Sequence, residues 1–113
     1  MSDFAIIYRG RATPASPEQA QKTLEKWRAW FDDLEAKGQL KDFGLPLEDT
    51  GKVVIGRQKT VNDGPYAEAK DVIGGFSIIE AKDLIHAAEL ARSCPILEGG
   101  GSVEVRPIMA YTR

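Results

Sequence analysis

The sequence predicts an α+β fold of the ferredoxin-like, split-βαβ kind: an antiparallel sheet with two helices on one face. Three observations carry this. Two stretches, residues 16–37 and 82–94, have helical spacing and helix-start signals. The apolar runs FAIIYR, DVIGGFSIIEA and SVEVRPIMAY read as strands. The resulting order is β-α-β-β-(loop)-β-α-β, which is the split-βαβ pattern with an extra hairpin strand.

The first strand is FAIIYR, residues 4–9. The first helix opens with Ser16 as cap, Pro17 at the first helical position and Gln19 completing a capping box. Ala20, Leu24, Trp27, Phe31 and Leu34 then form one apolar stripe, widened by Trp30, and Gly38 stops the helix. Leu45 and Leu47 flank Pro46, so that strand is expected at an edge or broken. EDTGK reads as a hairpin turn with Gly51 left-handed and KVVIG as the return strand, and VNDGPYAEAK (61–70) reads as the connection that follows. In the strand 71–81, Gly74 and Gly75 predict a bulge or a close backbone approach.

The second helix is capped by Asp83, turns Leu84, Ala87, Ala88 and Ala91 inward, and ends at Pro95. EGGGS is a turn. On the last strand Val103, Val105, Met109 and Tyr111 share one face, and Glu104, Arg106 and Ile108 the other. In the 71–81 strand, alternation puts Phe76 and Ile78 on one face and Ile73 and Ile79 on the opposite one. Both sheet faces then need cover, and two helices cover one. A homodimer packed sheet to sheet is expected, with Arg106 and Glu104 in or near the shared space.

The chain is one domain of 113 residues, with 42% hydrophobic and 28% charged residues. Its net charge of −2 leaves no basic excess for phosphates, so no nucleic-acid partner is expected. The single cysteine, Cys94, allows neither an intramolecular disulfide nor a CxxC site, and no metal or cofactor is expected. The N-terminus lacks a basic n-region and a cleavage site, and no apolar run reaches membrane-spanning length. A cytoplasmic protein with no membrane partner is the expectation.

The candidate chemistry is sparse. His86, the only histidine, falls on the polar face of the second helix. Cys94 lies eight residues further on, about 12 Å along an ideal helix, so the two cannot form a local nucleophile–base pair. Trp27 reads first as core. EGGGS has a helix before it and a strand after it, the reverse of a phosphate loop. Glu104 and Arg106 read as an interfacial salt bridge or an anion clamp, which Tyr8 or Arg9 could join. In the 61–70 segment the Asn-Asp-Gly-Pro core is turn chemistry, and Asp63, Tyr66 and Glu68 stay open as ligand contacts, with Lys70 beside them.

The stretch NDGPYAEAKDVIGGFSIIEA, followed by ARSCPILEGGGSVEVRPI, resembles the YCII-related family in its DGPF-motif branch, with Tyr66 in place of Phe. The resemblance implies a ferredoxin-like fold and a dimeric α+β barrel. Some members carry a histidine on the first helix and an aspartate before a proline at the end of the second, proposed as a catalytic dyad. These positions fall on Trp27 and on Cys94, before Pro95, so the resemblance implies that this chain lacks both.

Three functions follow as expectations. The first is a small cytoplasmic dimer with a small-molecule pocket between sheet and helices, lined from Arg106, Glu104, Asp63, Tyr66, Glu68, Trp27 and Cys94. The second is a lyase- or isomerase-type enzyme on a small aromatic or anionic substrate. The third is a regulatory or structural dimer without ligand.

Overall fold

The computed structural model describes residues 1–10, 16–67 and 71–110. Glu68, Lys70 and Tyr111, named above, lie outside the described residues. The elements run β1 (Ser2–Arg9), α1 (Pro17–Ala36), β2 (Leu40–Asp42), β3 (Gly51–Ile55), β4 (Thr60–Gly64), β5 (Ile73–Ala81), α2 (Leu84–Ala91), a 3₁₀ turn (Pro95–Gly99) and β6 (Ser102–Pro107). The main sheet has the order β2-β5-β1-β6 with every pair antiparallel, while β3 and β4 form a separate two-stranded sheet. Without the β3–β4 pair, the order is that of the ferredoxin-like fold.

Alternation along β1 decides which side of the sheet is core. Phe4, Ile6 and Tyr8 are buried, whereas Asp3, Ala5, Ile7 and Arg9 are half-buried. Opposite them on β5, Ile79 and Ser77 are buried. These residues pack with Trp30 and Leu34 of α1, Ala87 and Ala91 of α2, and Cys94 beyond it. One side of the sheet is thus covered by both helices. The opposite side carries Ile7, Phe76, Ile78, Arg9, Glu104 and Arg106, and among the described residues no element covers it.

The caps form where the sequence places them. Ser16 Oγ accepts from Gln19 N at 3.1 Å, and Asp83 Oδ1 accepts from His86 N at 2.8 Å. The apolar stripe of α1 is only partly used. Trp30 and Leu34 are buried, Trp27 and Phe31 are half-buried, and Leu24 and Ala20 are exposed. On α2 Ala87 and Ala91 are buried and Leu90 packs against the core half-buried, while Leu84 and Ala88 are exposed. Pro95 opens the 3₁₀ turn that occupies part of EGGGS.

Three expectations are corrected. The hairpin turn lies at residues 56–59, not at EDTGK. Gly51 opens β3 without a positive φ, while Gly56 (φ +70°) and Lys59 (φ +57°) take the left-handed conformations. Second, residues 61–64 form part of a strand, β4, so half of the expected loop is paired backbone. Third, Ile73 does not share the face of Ile79. Tyr8 pairs with Gly75 and Arg9 with Ile73, so Gly74 is the extra residue of a bulge that brings Ile73 to the Arg9 side. The bulge itself was legible in the glycine pair. So was the broken edge at Pro46, which makes one isolated bridge to Gly75.

Gly44 shows why this segment runs as it does. Its φ is +70°, and a Cβ there would sit 1.6 Å from the Phe76 carbonyl oxygen. The β2 exit lies directly on the β5 backbone. Gly44→Ala is expected to cost at least about 3 kcal/mol, from a forbidden contact combined with backbone strain. Urea unfolding of the purified variant checks this.

Candidate functional site

The helix side of the sheet holds an aromatic stack around Tyr8. Trp27 meets the Tyr8 ring edge-on at a centroid distance of 5.0 Å, and Trp30 does so at 6.3 Å. Phe31 and Phe43 continue the stack outward to the exposed side of β2. The Tyr8 hydroxyl donates to Ser77 Oγ at 2.7 Å, and Ser77 Oγ donates to the Phe43 carbonyl at 2.8 Å. Every polar atom of this buried chain therefore has a partner.

Trp27 and Cys94 lie together in this core. Here burial works against chemistry. It pushes the Cys94 thiol up to about 12, against a weaker opposing hydrogen bond with the Ile96 backbone. Desolvation also raises Tyr8, opposed by its Ser77 hydrogen bond and reinforced by Cys94. Neither group ionises near neutral pH, so neither is an activated nucleophile or a neutral-pH base.

The uncovered face carries the charged residues that the sequence offered as a salt bridge or an anion clamp. Arg9 Nε and Nη2 both donate to Glu104 Oε1, at 3.0 and 2.9 Å, and Arg9 Nη1 donates to the Asp71 carbonyl at 2.8 Å. Arg9 and Glu104 are diagonal neighbours on adjacent strands. Glu104 is thus paired with Arg9, not with Arg106. Among the described residues Arg106 has no carboxylate partner, and it stands four residues further along β6 than Ser102, which pairs with Arg9. Of Tyr8 and Arg9, it is Arg9 that shares the face of Glu104 and Arg106.

Asp63 stands directly opposite Lys52 in the β3–β4 ladder and forms an ion pair with it. Tyr66 follows the cis Gly64–Pro65 bond and is exposed. Pro65 and Tyr66 line an open groove of about 630 Å³. Its other walls are Leu47 and Glu48, Thr50 to Val54, and Val72 with Ile73. The groove is mostly apolar, with Tyr66, Thr50, Lys52 and Glu48 as its polar groups.

The structure therefore separates the sequence-derived candidates into three places. Trp27 and Cys94 are under the helices, Arg106 and Glu104 are on the uncovered face, and Asp63 and Tyr66 are at the hairpin base. Sequence reasoning missed Lys52, Val53, Thr50 and Val72 as groove residues; it named Arg9 beside Tyr8 as a residue that could join Glu104, and it is Arg9 that pairs with it. A signal for the hairpin was present: in KVVIGRQKTVND, Lys52 and Val54 mirror Asp63 and Val61 about the 57–58 centre. Among the described residues no group of three or more histidine, cysteine or acidic side chains could hold a metal. Likewise none of the described helices is long and apolar enough to cross a membrane.

The fold and these sites define a small α+β protein with a ferredoxin-like sheet, one helix-covered face and a groove beside an added hairpin. The chain belongs to the YCII-related domain family, whose match spans residues 4–112. No curated protein matches it. Among solved structures it is similar to 5-chloro-2-hydroxyhydroquinone dehydrochlorinase from Burkholderia phenoliruptrix AC1100, solved in complex with 2,5-dihydroxybenzoquinone. That similarity has 19% identity and a TM-score of 0.46, covering 92% of this chain and 90% of that one.

The raised thiol and phenol make stability fall in alkali. The unfolded chain loses the Cys94 proton from about pH 9 while the folded one holds it to about 12. In that window the native state binds more protons, so stability decreases as pH rises. Tyr8 adds to the loss from pH 10 upward. Unfolding free energies from urea titrations are expected to drop between pH 9 and 12 with a slope approaching about 1.4 kcal/mol per pH unit for each titrating group. In Cys94→Ala the drop is expected to begin only near pH 10.

Proposed function

We propose that this YCII-related protein is a homodimeric binding protein for a small molecule with an aromatic or apolar body and a polar or anionic edge. The groove at the hairpin base carries the reading. Its apolar walls suit a ring, Tyr66 offers both a stacking face and a hydroxyl, and Lys52 supplies a positive charge shared with Asp63. This reading sets the ligand in the groove at the hairpin base, whereas from the sequence it was expected between sheet and helices.

Dimer formation is supported by the surface left uncovered. The chain exposes 8471 Å², against about 6,100 Å² for a compact monomer of its mass. The difference exceeds the roughly 800 Å² that one partner gives to a standard interface. Phe76 is 41% exposed in the middle of the uncovered sheet face, beside half-buried Ile7 and Ile78. Arg106 stands on that face with no carboxylate partner among the described residues. A second copy, packed sheet to sheet, would cover the apolar residues and place Arg106 near carboxylates.

The lyase or isomerase reading is less well supported. It needs a proton acceptor or donor matched to neutral pH. Burial moves Cys94 and Tyr8 away from that range, and Asp63 is tied to Lys52.

Methyl and amide NMR titration with 4-hydroxybenzoate, a ring with an anionic edge, is expected to shift Val53, Val54, Val72 and Ile73. Tyr66→Ala is expected to weaken binding by about 1 kcal/mol, roughly fivefold, through loss of the ring contact. Shifts confined to Trp27 and Cys94 would move the site under the helices and end the groove reading.

A further inference from the structure

The β3–β4 hairpin has a shape and a charge that its own chain does not use. Among the described residues the two strands pair with each other and with no third strand, and neither packs substantially on a helix or on the main sheet. Isolated two-stranded ribbons are marginal in water. On one face Val54 lies opposite Val61, 64% and 60% exposed, next to the Lys52–Asp63 ion pair. At the tip, neither Arg57 nor Lys59 has a carboxylate partner among the described residues. The molecule measures 46 × 45 × 20 Å with a radius of gyration of 15.7 Å, against about 13 Å for a compact chain of this length.

Charge is distributed to match. Residues 51–64 carry three cations and one anion, a net of +2, so the remaining chain, within a total of −2, carries −4. On the uncovered sheet face Glu80 has no cationic partner among the described residues. An arm of one sign and a body of the other are complementary between two copies and not within one.

We infer that the β3–β4 hairpin is a dimerisation arm received by the body of a second copy of this chain. The Val54–Val61 face lies against the partner's uncovered sheet face beside Phe76, and the Arg57 and Lys59 tip meets the partner's acidic body. Because the groove lies at the base of the arm, the received arm fixes the groove walls at Lys52 to Val54. This inference rests on the dimer reading above and makes the arm part of the cover over the partner's uncovered sheet face.

The test is the dimer dissociation constant by analytical ultracentrifugation of the full chain. Val54→Asp with Val61→Asp is expected to weaken the dimer at least tenfold. Arg57→Glu with Lys59→Glu, which alters only exposed tip side chains, is expected to weaken it at least fivefold at 20 mM salt and much less at 500 mM. Near-UV circular dichroism of the Trp27–Trp30 cluster, remote from the arm, verifies that the body stays folded. If both variants dimerise as the native chain does, the arm inference fails and the sheet-to-sheet dimer stands. If the native chain is a monomer at micromolar concentration, the dimer reading fails with it, and the arm faces a different protein or none.

Discussion

The hydrogen-bond chain from Tyr8 through Ser77 to the Phe43 carbonyl is the constraint on which the rest of the fold hangs. It links the central strand β1 to β5 and to the exit of β2 through one buried hydroxyl. An unpaired phenol here would cost about 1–3 kcal/mol, so the chain must bring an acceptor to it. Ser77 supplies that acceptor and passes the requirement on to Phe43. Phe43 is followed by Gly44, the residue that lets the backbone settle on Phe76. The route of the chain after β2, the bridge at Pro46 and the detour into the hairpin all begin from that point. The aromatic stack on Tyr8 then excludes water from the relay.

Much of this was legible because short-range physics dictates it. The Ser16 and Asp83 caps follow from a side-chain oxygen that can reach an unpaired amide three residues on. Phe4, Ile6 and Tyr8 are core because a strand alternates and one side of it is covered by helices. The hairpin was misplaced for an equally physical reason. EDTGK and GRQK both offer a glycine and polar neighbours, and local turn chemistry could not choose between them. Cross-strand pairing chose, since the turn at 56–59 sets Val54 against Val61 and Lys52 against Asp63, a gain that a turn-by-turn reading does not count. The far end of the α1 stripe was misjudged because periodicity reports which residues share a face but not how much of that face is covered.

The candidate site was less legible than the fold. Tyr66 was marked by sequence, as was Asp63, the ion-pair partner of the groove residue Lys52, yet much of the groove comes from residues that have no chemistry to advertise, such as Val53, Val72 and Ile73. The positions at which the family resemblance implies a histidine and an aspartate do come together in space, around Tyr8. In this chain they hold an indole and a thiol, and the surroundings suit those groups: apolar, ring-lined and dry. The same desolvation that stabilises Trp27 there holds the Cys94 proton in place. The charged candidates lie instead toward the edges of the molecule: the Arg9–Glu104 pair, Arg106 and the hairpin base.

The bulge at Gly74 has a consequence for how this chain can change over time. A regular strand transmits its parity along its whole length, so a one-residue insertion or deletion inverts every side chain beyond it. Gly74 already absorbs one residue of offset, between the helix-facing part of β5 and Val72–Ile73 at the groove wall. The two parts are therefore out of phase by design of the backbone, and their sequences are decoupled. The connection from the hairpin could lose or gain residues, and the groove wall could be rewritten, while Ser77, Ile79 and Ala81 keep their places in the core.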